Sequence, residues 1–177
     1  TLRDRSRLGA AMGTVSMVSG LAVAAGPAVA GVLSDLTGTR AWGVVMGAAS
    51  AILEKPPEAC MEMFGEWWVL ETAAKSYGAL LEASGNDFVQ FIGNMNALHD
   101  RITGTFVNYV PPQFKVESAD GGRHRIHYIS TRQGLTPFVV GLLKGLAKRF
   151  ESELEIHSQE SVPVTSGEYT IFEVTVT

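Results

Sequence analysis

The sequence has very little cysteine, since Cys60 is the only one among its 177 residues. A single thiol excludes an internal disulfide and suits a reducing compartment, so we expect a cytoplasmic protein. Cys60 could ligate a metal as a thiolate, but a small buried residue on a helix is the plainer interpretation.

Other absences exclude whole classes of function. The net charge is −4 and the sequence has no basic stripe, so nucleic acid is not an expected partner. It has no glycine-rich phosphate loop and no nucleophile–base constellation, so we do not expect an enzyme. His124, His127 and His157 show no metal-ligand spacing. We expect His124 and His157 to be solvated, and His127 to face away from Tyr128.

Residues 8–34 form a long stretch without charge, and three arginines precede it. About 20 apolar residues suffice to cross a bilayer, and arginines on one flank are typical of a cytoplasmic end. Pro27 would break a single helix, so a buried alanine-rich helical hairpin is an equal alternative. The run GLAVAAGPAVAGVLSDLTGTRAW at 20–42 resembles a segment of a major-facilitator transporter. Any membrane association is expected through residues 8–34 alone.

A histidine lies on the apolar face of a predicted helix at 86–106. The apolar residues of this face recur at spacings of three and four; they are Phe88, Ile92, Met95, Ile102 and Phe106. His99 falls in the same face, where periodicity favours a leucine. Asn86 or Asp87 can cap the start of the helix, and Gly104 is near its expected end. A buried imidazole needs partners for both ring nitrogens, and a satisfied core histidine is the plain alternative to a ligand.

A row of hydrogen-bond donors follows at Tyr128, Ser130 and Arg132. In a strand, residues at i, i+2 and i+4 point to the same face. Two hydroxyls and a guanidinium suit a doubly anionic ligand, because arginine binds a carboxylate in bidentate fashion. Together with His99, the row indicates a ligand that has a metal at one end and carboxylates at the other. A haem fits that description.

Four stretches carry a resemblance to the haem nitric-oxide/oxygen-binding (H-NOX) family. They are FGEWW at 64–68, NMNALHDRI at 94–102, PPQF at 111–114 and YISTRQGLTPFVVGLLKGLAKRF at 128–150. The resemblance implies haem b with His99 as the axial iron ligand. It also implies that Tyr128, Ser130 and Arg132 hold the propionates and that Pro112 presses on the porphyrin from the proximal side. The other implied cofactor contacts are Met95, Trp68 and Phe138, with Trp68 on the distal side.

The same resemblance implies a sensor of nitric oxide and carbon monoxide. Oxygen-binding relatives have a distal tyrosine on the helix after the donor row, where this sequence has Phe138. Trp68 offers only a weak indole donor, so we expect poor oxygen affinity. The implied effector is a histidine kinase, a cyclase or a chemotaxis protein. A membrane transporter fragment fused to an H-NOX remnant, and a haem-free interaction domain, remain as alternatives.

The expected fold class is α+β. We expect residues 1–46 to be an atypical apolar helical segment rich in glycine and alanine. We expect residues 47–177 to form the H-NOX-like haem-binding domain, helical over 47–110 and sheet-forming over 111–177. We predict a helix from Pro56 to about Ala74 and a short helix from Tyr77. Strands at Gln113–Val116 and Arg125–Ser130 are joined by a turn at 120–122, and a helix at Leu135–Phe150 covers the sheet. Alternation around Leu154 and Val174 completes four antiparallel strands, with Gly167 in the last turn.

Overall fold

In a computed structural model, the described residues are 39–103 and 110–177. The helices are α1 (Thr39–Leu53), α2 (Pro57–Trp67), α3 (Ala74–Glu82), α4 (Phe88–Gly93), α5 (Met95–Thr103) and α6 (Thr136–Arg149). A π-helical segment (Trp68–Ala73) joins α2 to α3. The strands are β1 (Gln113–Ser118), β2 (Arg123–Ser130), β3 (Leu154–Ser161) and β4 (Glu168–Val176). The expected α+β class is confirmed.

The four strands form one antiparallel sheet in the order β1-β2-β4-β3. The turn between β1 and β2 contains Gly121 and Gly122 at φ of 73° and 72°, a region that favours glycine. One sheet face is apolar and lies against α6. Its core residues include Ile126, Phe172 and Val174 from the sheet and Leu143 and Leu146 from α6. This packing confirms the expected covering helix.

Helices α2 and α6 touch through their backbones. A Cβ on Gly141 would overlap the carbonyl oxygen of Glu62, and one on Gly145 would lie 2.9 Å from that of Glu66. Only residues without a side chain allow this approach. Ion pairs flank the contact: Lys144 binds Glu62, and the Nζ atom of Lys148 lies 2.5 Å from Glu66. The position of α6 over the sheet is therefore tied to α2.

The single helix expected at 86–106 is wrong, because the chain turns at Asn94 between α4 and α5. Asn94 has φ −93° and ψ 1°, and its side-chain amide donates to the carbonyl oxygen of Ser84 at 2.9 Å. Asp87 caps α4, as expected, by accepting a hydrogen bond from the Gln90 N–H at 2.8 Å. The apolar face is confirmed at Phe88 and Ile92, which are buried. Gly104 and Phe106 lie outside the described residues.

The helical part also differs from expectation around residue 70. The helix predicted from Pro56 to about Ala74 ends at Trp67 and passes into the π-helical segment. Instead of a separate helix beginning at Tyr77, α3 starts at Ala74 and kinks at Tyr77, where φ is −134°. Among the described residues, no helix has the length and apolar character needed to span a bilayer. The apolar stretch 8–34 lies outside them, and the predicted boundary between residues 46 and 47 falls within α1.

Candidate functional site

The imidazole of His99 is hydrogen-bonded at Nδ1, whereas Nε2 has no hydrogen-bond partner among the described residues. Its Nδ1 atom lies 3.1 Å from the carbonyl oxygen of Pro112. A carbonyl can only accept, so Nδ1 carries the proton and Nε2 keeps its lone pair. No hydrogen bond reaches Nε2 from any residue in the described ranges. His99 is half-buried, so its ring is not turned out into water. Among the described residues, His99 therefore lacks the second partner that a fully satisfied core histidine would have.

The surroundings of His99 favour its neutral form. Burial lowers the pKa of the imidazole, and this outweighs the opposing effects of the Pro112 hydrogen bond and the Asp100 charge. The ring of Phe114 lies 6.2 Å from the imidazole, centroid to centroid. A neutral imidazole with a protonated, hydrogen-bonded Nδ1 is the form in which histidine binds a metal through Nε2.

Asn96 is a neighbour of His99 that the sequence reasoning missed. Its side-chain oxygen accepts from the Phe114 N–H at 2.9 Å, and its side-chain nitrogen donates to the Phe114 carbonyl at 2.8 Å. Asn96 and His99 are three residues apart on α5, which places them on the same helix face. The three-residue spacing could have indicated that Asn96 lies near His99. It could not have indicated that Asn96 bonds the backbone of a strand.

The donor row is only partly a strand feature. Tyr128 is fully buried, and its ring centroid lies 5.5 Å from that of Phe114. Ser130 is buried at the last position of β2, and its Oγ atom accepts from the Arg132 N–H at 3.0 Å. This hydroxyl–backbone bond replaces the strand ladder, so Arg132 lies in the bend after β2. The expectation that Arg132 shares a strand face with Tyr128 and Ser130 is wrong.

The backbone of residues 110–112 links the two groups of predicted site residues. The Nη1 atom of Arg132 donates to the Val110 carbonyl at 3.3 Å, while His99 donates to the Pro112 carbonyl. His99, the predicted metal ligand, and Arg132, the residue predicted to bind the carboxylates of the ligand, therefore contact carbonyls two residues apart. This short connection before β1 thus contacts both residues.

A carboxylate fixes the bend that contains Arg132. The Oε2 atom of Glu168 accepts from the Leu135 N–H at 3.1 Å, and Oε1 accepts from the hydroxyl of Thr136. Thr136 also lies 2.9 Å from the buried hydroxyl of Thr170. The start of α6 is thus anchored to β4 directly after the bend. Sequence reasoning missed Glu168, because its partners lie more than thirty residues away.

The other predicted contacts lie elsewhere in the core. Trp68 and Met95 are half-buried and pack against the main core. Phe138 packs in a second cluster with Cys60 and Met61, and its ring lies 5.5 Å from that of Phe64. Within the described ranges, no hydrogen bond or ring contact joins Trp68, Met95 or Phe138 to His99.

Cys60 has the surroundings of a packing residue. It is 3% exposed, and burial raises the pKa of its thiol, with Lys55 opposing this effect and Glu58 adding to it. A protonated, enclosed thiol is a poor metal ligand, because the thiolate is the form that binds. The interpretation of Cys60 as a small buried residue on a helix agrees with this position.

The remaining histidines are arranged along the sheet. His127 is buried, with Nδ1 2.8 Å from the Tyr169 hydroxyl and Nε2 3.5 Å from a Glu117 carboxylate oxygen. His157 is exposed, as expected. His124 is half-buried and contacts the Ser118 hydroxyl at 3.0 Å, so the expectation that it is solvated was too simple.

The fold defines a class of protein, an α+β domain with helices packed on a four-stranded antiparallel sheet. Solved structures share it: an oxygen-binding H-NOX domain related to soluble guanylate cyclases has a TM-score of 0.63 at 16% identity, covering 75% of this chain and 68% of that one. An H-NOX protein from S. oneidensis in the Fe(II)NO state has a TM-score of 0.63 at 17% identity, covering 75% and 72%. At these identities, the likeness shows the fold alone.

The sequence comparisons show the family. The haem-NO-binding family model matches residues 41–158, and the chain belongs to this family of haem-binding sensor domains. Guanylate cyclase soluble subunit beta-2 of Rattus norvegicus is 32% identical over 93 residues, which are 52% of this chain and 14% of that relative. Soluble guanylate cyclase gcy-37 of Caenorhabditis elegans is 27% identical over 139 residues, 73% of this chain and 19% of that relative.

The chain thus spans less than a fifth of the length of these two curated relatives. The expected H-NOX resemblance is confirmed, whereas the comparisons give no support to a transporter resemblance at 20–42. The roles of individual site residues and the division at residue 46 stay predictions.

Proposed function

We propose that this domain binds haem b through the Nε2 atom of His99 and senses nitric oxide and carbon monoxide. One observation carries the proposal: the Nδ1–Pro112 hydrogen bond leaves Nε2 unprotonated and without a partner among the described residues. Burial keeps the same ring neutral, which adds to its capacity as a ligand.

The chemistry of the predicted site residues supports haem binding. Ser130 and Tyr128 offer hydroxyls, and the Arg132 guanidinium offers several donors for propionate oxygens. Pro112 would lie on the proximal side, while Met95, Trp68 and Phe138 would supply apolar contact. When bound, the haem would supply the iron chemistry that binds diatomic gases.

The helix after the donor row supports a preference for gases that need no hydrogen bond. α6 contains no tyrosine, and the hydroxyl of Thr136 at its start is engaged with Glu168 and Thr170. We propose that the indole N–H of Trp68 is then the hydrogen-bond donor left for a gas bound on the distal side. Bound oxygen carries partial negative charge and gains most from a donor, so oxygen affinity is poor while nitric oxide and carbon monoxide bind.

The signal begins at the contact between α5 and the chain before β1. A change in what Nε2 binds alters the constraint on the imidazole, while Nδ1 stays bonded to Pro112. That change reaches residues 110–112 and the adjoining edge of the sheet, since α5 contacts both, and it gives the two arrangements that a sensor needs.

The relatives named as soluble guanylate cyclases favour a cyclase as the effector, and a histidine kinase or a chemotaxis protein is an alternative. These residues sense and do not catalyse, and we propose that they do so in the cytoplasm.

An absorption spectrum of the purified chain tests this function. After haem supplementation, we expect a Soret band that shifts on addition of nitric oxide and of carbon monoxide, but not of oxygen. Absence of a Soret band in a chain whose circular dichroism shows a folded α+β domain would overturn the proposal and favour a haem-free interaction domain. A large shift with oxygen would overturn only the gas preference.

A further inference from the structure

The free edge of β1 contacts two side chains of the helix that contains His99. β1 is an edge strand, paired with β2 on one side. On the other side, Asn96 bonds both the N–H and the C=O of Phe114. His99 bonds the carbonyl of Pro112, two residues earlier. Backbone groups two residues apart in an extended chain point the same way, so these are successive positions on one edge.

The spacings on the helix and on the strand are compatible. Three residues of helix rise by about 4.5 Å, and two residues of strand extend by about 6.6 Å. The side chains of Asn96 and His99 bridge the difference of roughly 2 Å between these lengths. The Asn96 side chain therefore bonds the edge of β1 as the backbone of a neighbouring strand would. The His99 side chain bonds the next backbone position along the same edge.

We propose that Asn96 is a positioning residue for His99, which sets the orientation and protonation of the imidazole by holding α5 against β1. This inference rests on the proposed function. A single hydrogen bond from Nδ1 leaves the ring free to turn about that bond. The two additional bonds at Phe114 fix the helix face three residues earlier, so the Pro112 carbonyl stays within reach. Through that bond, Asn96 also influences how strongly Nε2 binds a metal.

A purely structural role for Asn96 makes a different prediction. If Asn96 only stabilises the packing of α5, its loss lowers the melting temperature and leaves the histidine unchanged. If it positions His99, its loss also changes which ring nitrogen is protonated. Asn94 supplies the comparison, because it lies between α4 and α5 and its amide bonds the Ser84 carbonyl at 2.9 Å instead of β1. Asn86 is exposed and serves as a neutral control.

The experiment uses the full chain with Asn96→Ala, Asn96→Asp, Asn94→Ala and Asn86→Ala. Nitrogen-15 NMR of labelled histidine in the haem-free chain reports the protonated ring nitrogen of His99. Resonance Raman of the haem-loaded ferrous chain reports the iron–histidine stretch, and transfer to apomyoglobin reports haem loss.

We expect Asn96→Ala to reduce the fraction of His99 protonated at Nδ1 and to shift the iron–histidine stretch. Haem loss should accelerate roughly threefold to tenfold, the effect of about one ordinary hydrogen bond. Asn96→Asp should fall between Asn96→Ala and wild type, because it keeps the acceptor for the Phe114 N–H and loses the donor. Asn94→Ala should lower the melting temperature but leave the His99 tautomer and the iron–histidine stretch unchanged. Asn86→Ala should leave the melting temperature and both spectroscopic signals unchanged.

A wild-type tautomer and a wild-type stretch in Asn96→Ala would overturn this inference even if the variant were less stable. If the wild-type chain bound no haem, the proposed function would fail. The NMR measurement on the haem-free chain would still show whether Asn96 orients the imidazole.

Discussion

The Nδ1 atom of His99 lies 3.1 Å from the carbonyl oxygen of Pro112, although thirteen residues separate the two in sequence. This one contact fixes the tautomer of the imidazole, because a carbonyl accepts and cannot donate. It also joins α5 to the chain that directly precedes β1. Metal binding at Nε2 and the positioning of the ring by Asn96 both depend on that contact.

The buried His99 should make the haem-free domain less stable in acid. Burial lowers the pKa of His99 from its ordinary 6.5, so the folded chain takes up this proton less readily than the unfolded chain. The stability that depends on neutral His99 is therefore fully present above pH 6.5, and it is lost as pH falls through that value towards the lowered pKa. Urea unfolding between pH 8 and pH 5 measures this effect. His99→Gln should flatten the pH dependence, and an identical pH dependence in both proteins would count against a buried neutral imidazole.

Cys60 should be dispensable for haem binding. It is 3% exposed within the second cluster with Met46 and Met61, and burial raises the pKa of its thiol. Cys60→Ala should cost about 1 kcal/mol of stability through the small cavity that it leaves. The Soret band after haem supplementation should match that of the wild type. Loss of the band with retained folding would show that the thiol is a ligand.

Gly141→Ala should destabilise the domain, because the added Cβ would overlap the carbonyl oxygen of Glu62. Forcing two packed helices apart costs about 1–3 kcal/mol. Gly47→Ala is the matched control, since a Cβ there meets nothing within 4 Å and Gly47 is exposed on α1. That change should be neutral or stabilising by up to about 1 kcal/mol through helix propensity. Thermal unfolding compares the two variants, and equal effects would contradict the close approach of α2 and α6.

Glu168→Ala should loosen the bend that contains Arg132. Its carboxylate accepts from the Leu135 N–H and the Thr136 hydroxyl, and hydrogen bonds to a charged group contribute about 1.5–3 kcal/mol. Glu173→Ala on the same strand is the control, because its ion pair with Arg125 is half-exposed and such pairs contribute about 1 kcal/mol or less. Urea unfolding should separate the variants, and a Glu173→Ala loss as large as that of Glu168→Ala would refute the anchoring role.

Much of the fold could be predicted because it follows from local patterns. The turn glycines at 121 and 122, the cap at Asp87 and the helix over the sheet each depend on a few neighbouring residues. The break at Asn94 could not be predicted, because the apolar spacing continues through it and the cause is a side-chain bond to Ser84, ten residues earlier. The π-helical segment Trp68–Ala73 likewise has no signal in hydrophobic periodicity.

The candidate site shows the same division between local and distant information. His99 could be found because it interrupts an apolar face. Ser130 and Arg132 could be found as a pattern, but the pattern implied a strand face where the structure has a bend. The roles of Asn96 and Glu168 could not be found, because their partners are backbone groups on distant elements.

Replacement of His99 by glycine tests the central claim most directly. His99→Gly removes the imidazole and leaves the space that free imidazole can fill, so the purified variant should lack the Soret band and regain it when imidazole is added with haem. Circular dichroism should show that the variant is folded in both conditions. A variant that kept haem as well as the wild type without added imidazole would contradict the claim that His99 holds the iron.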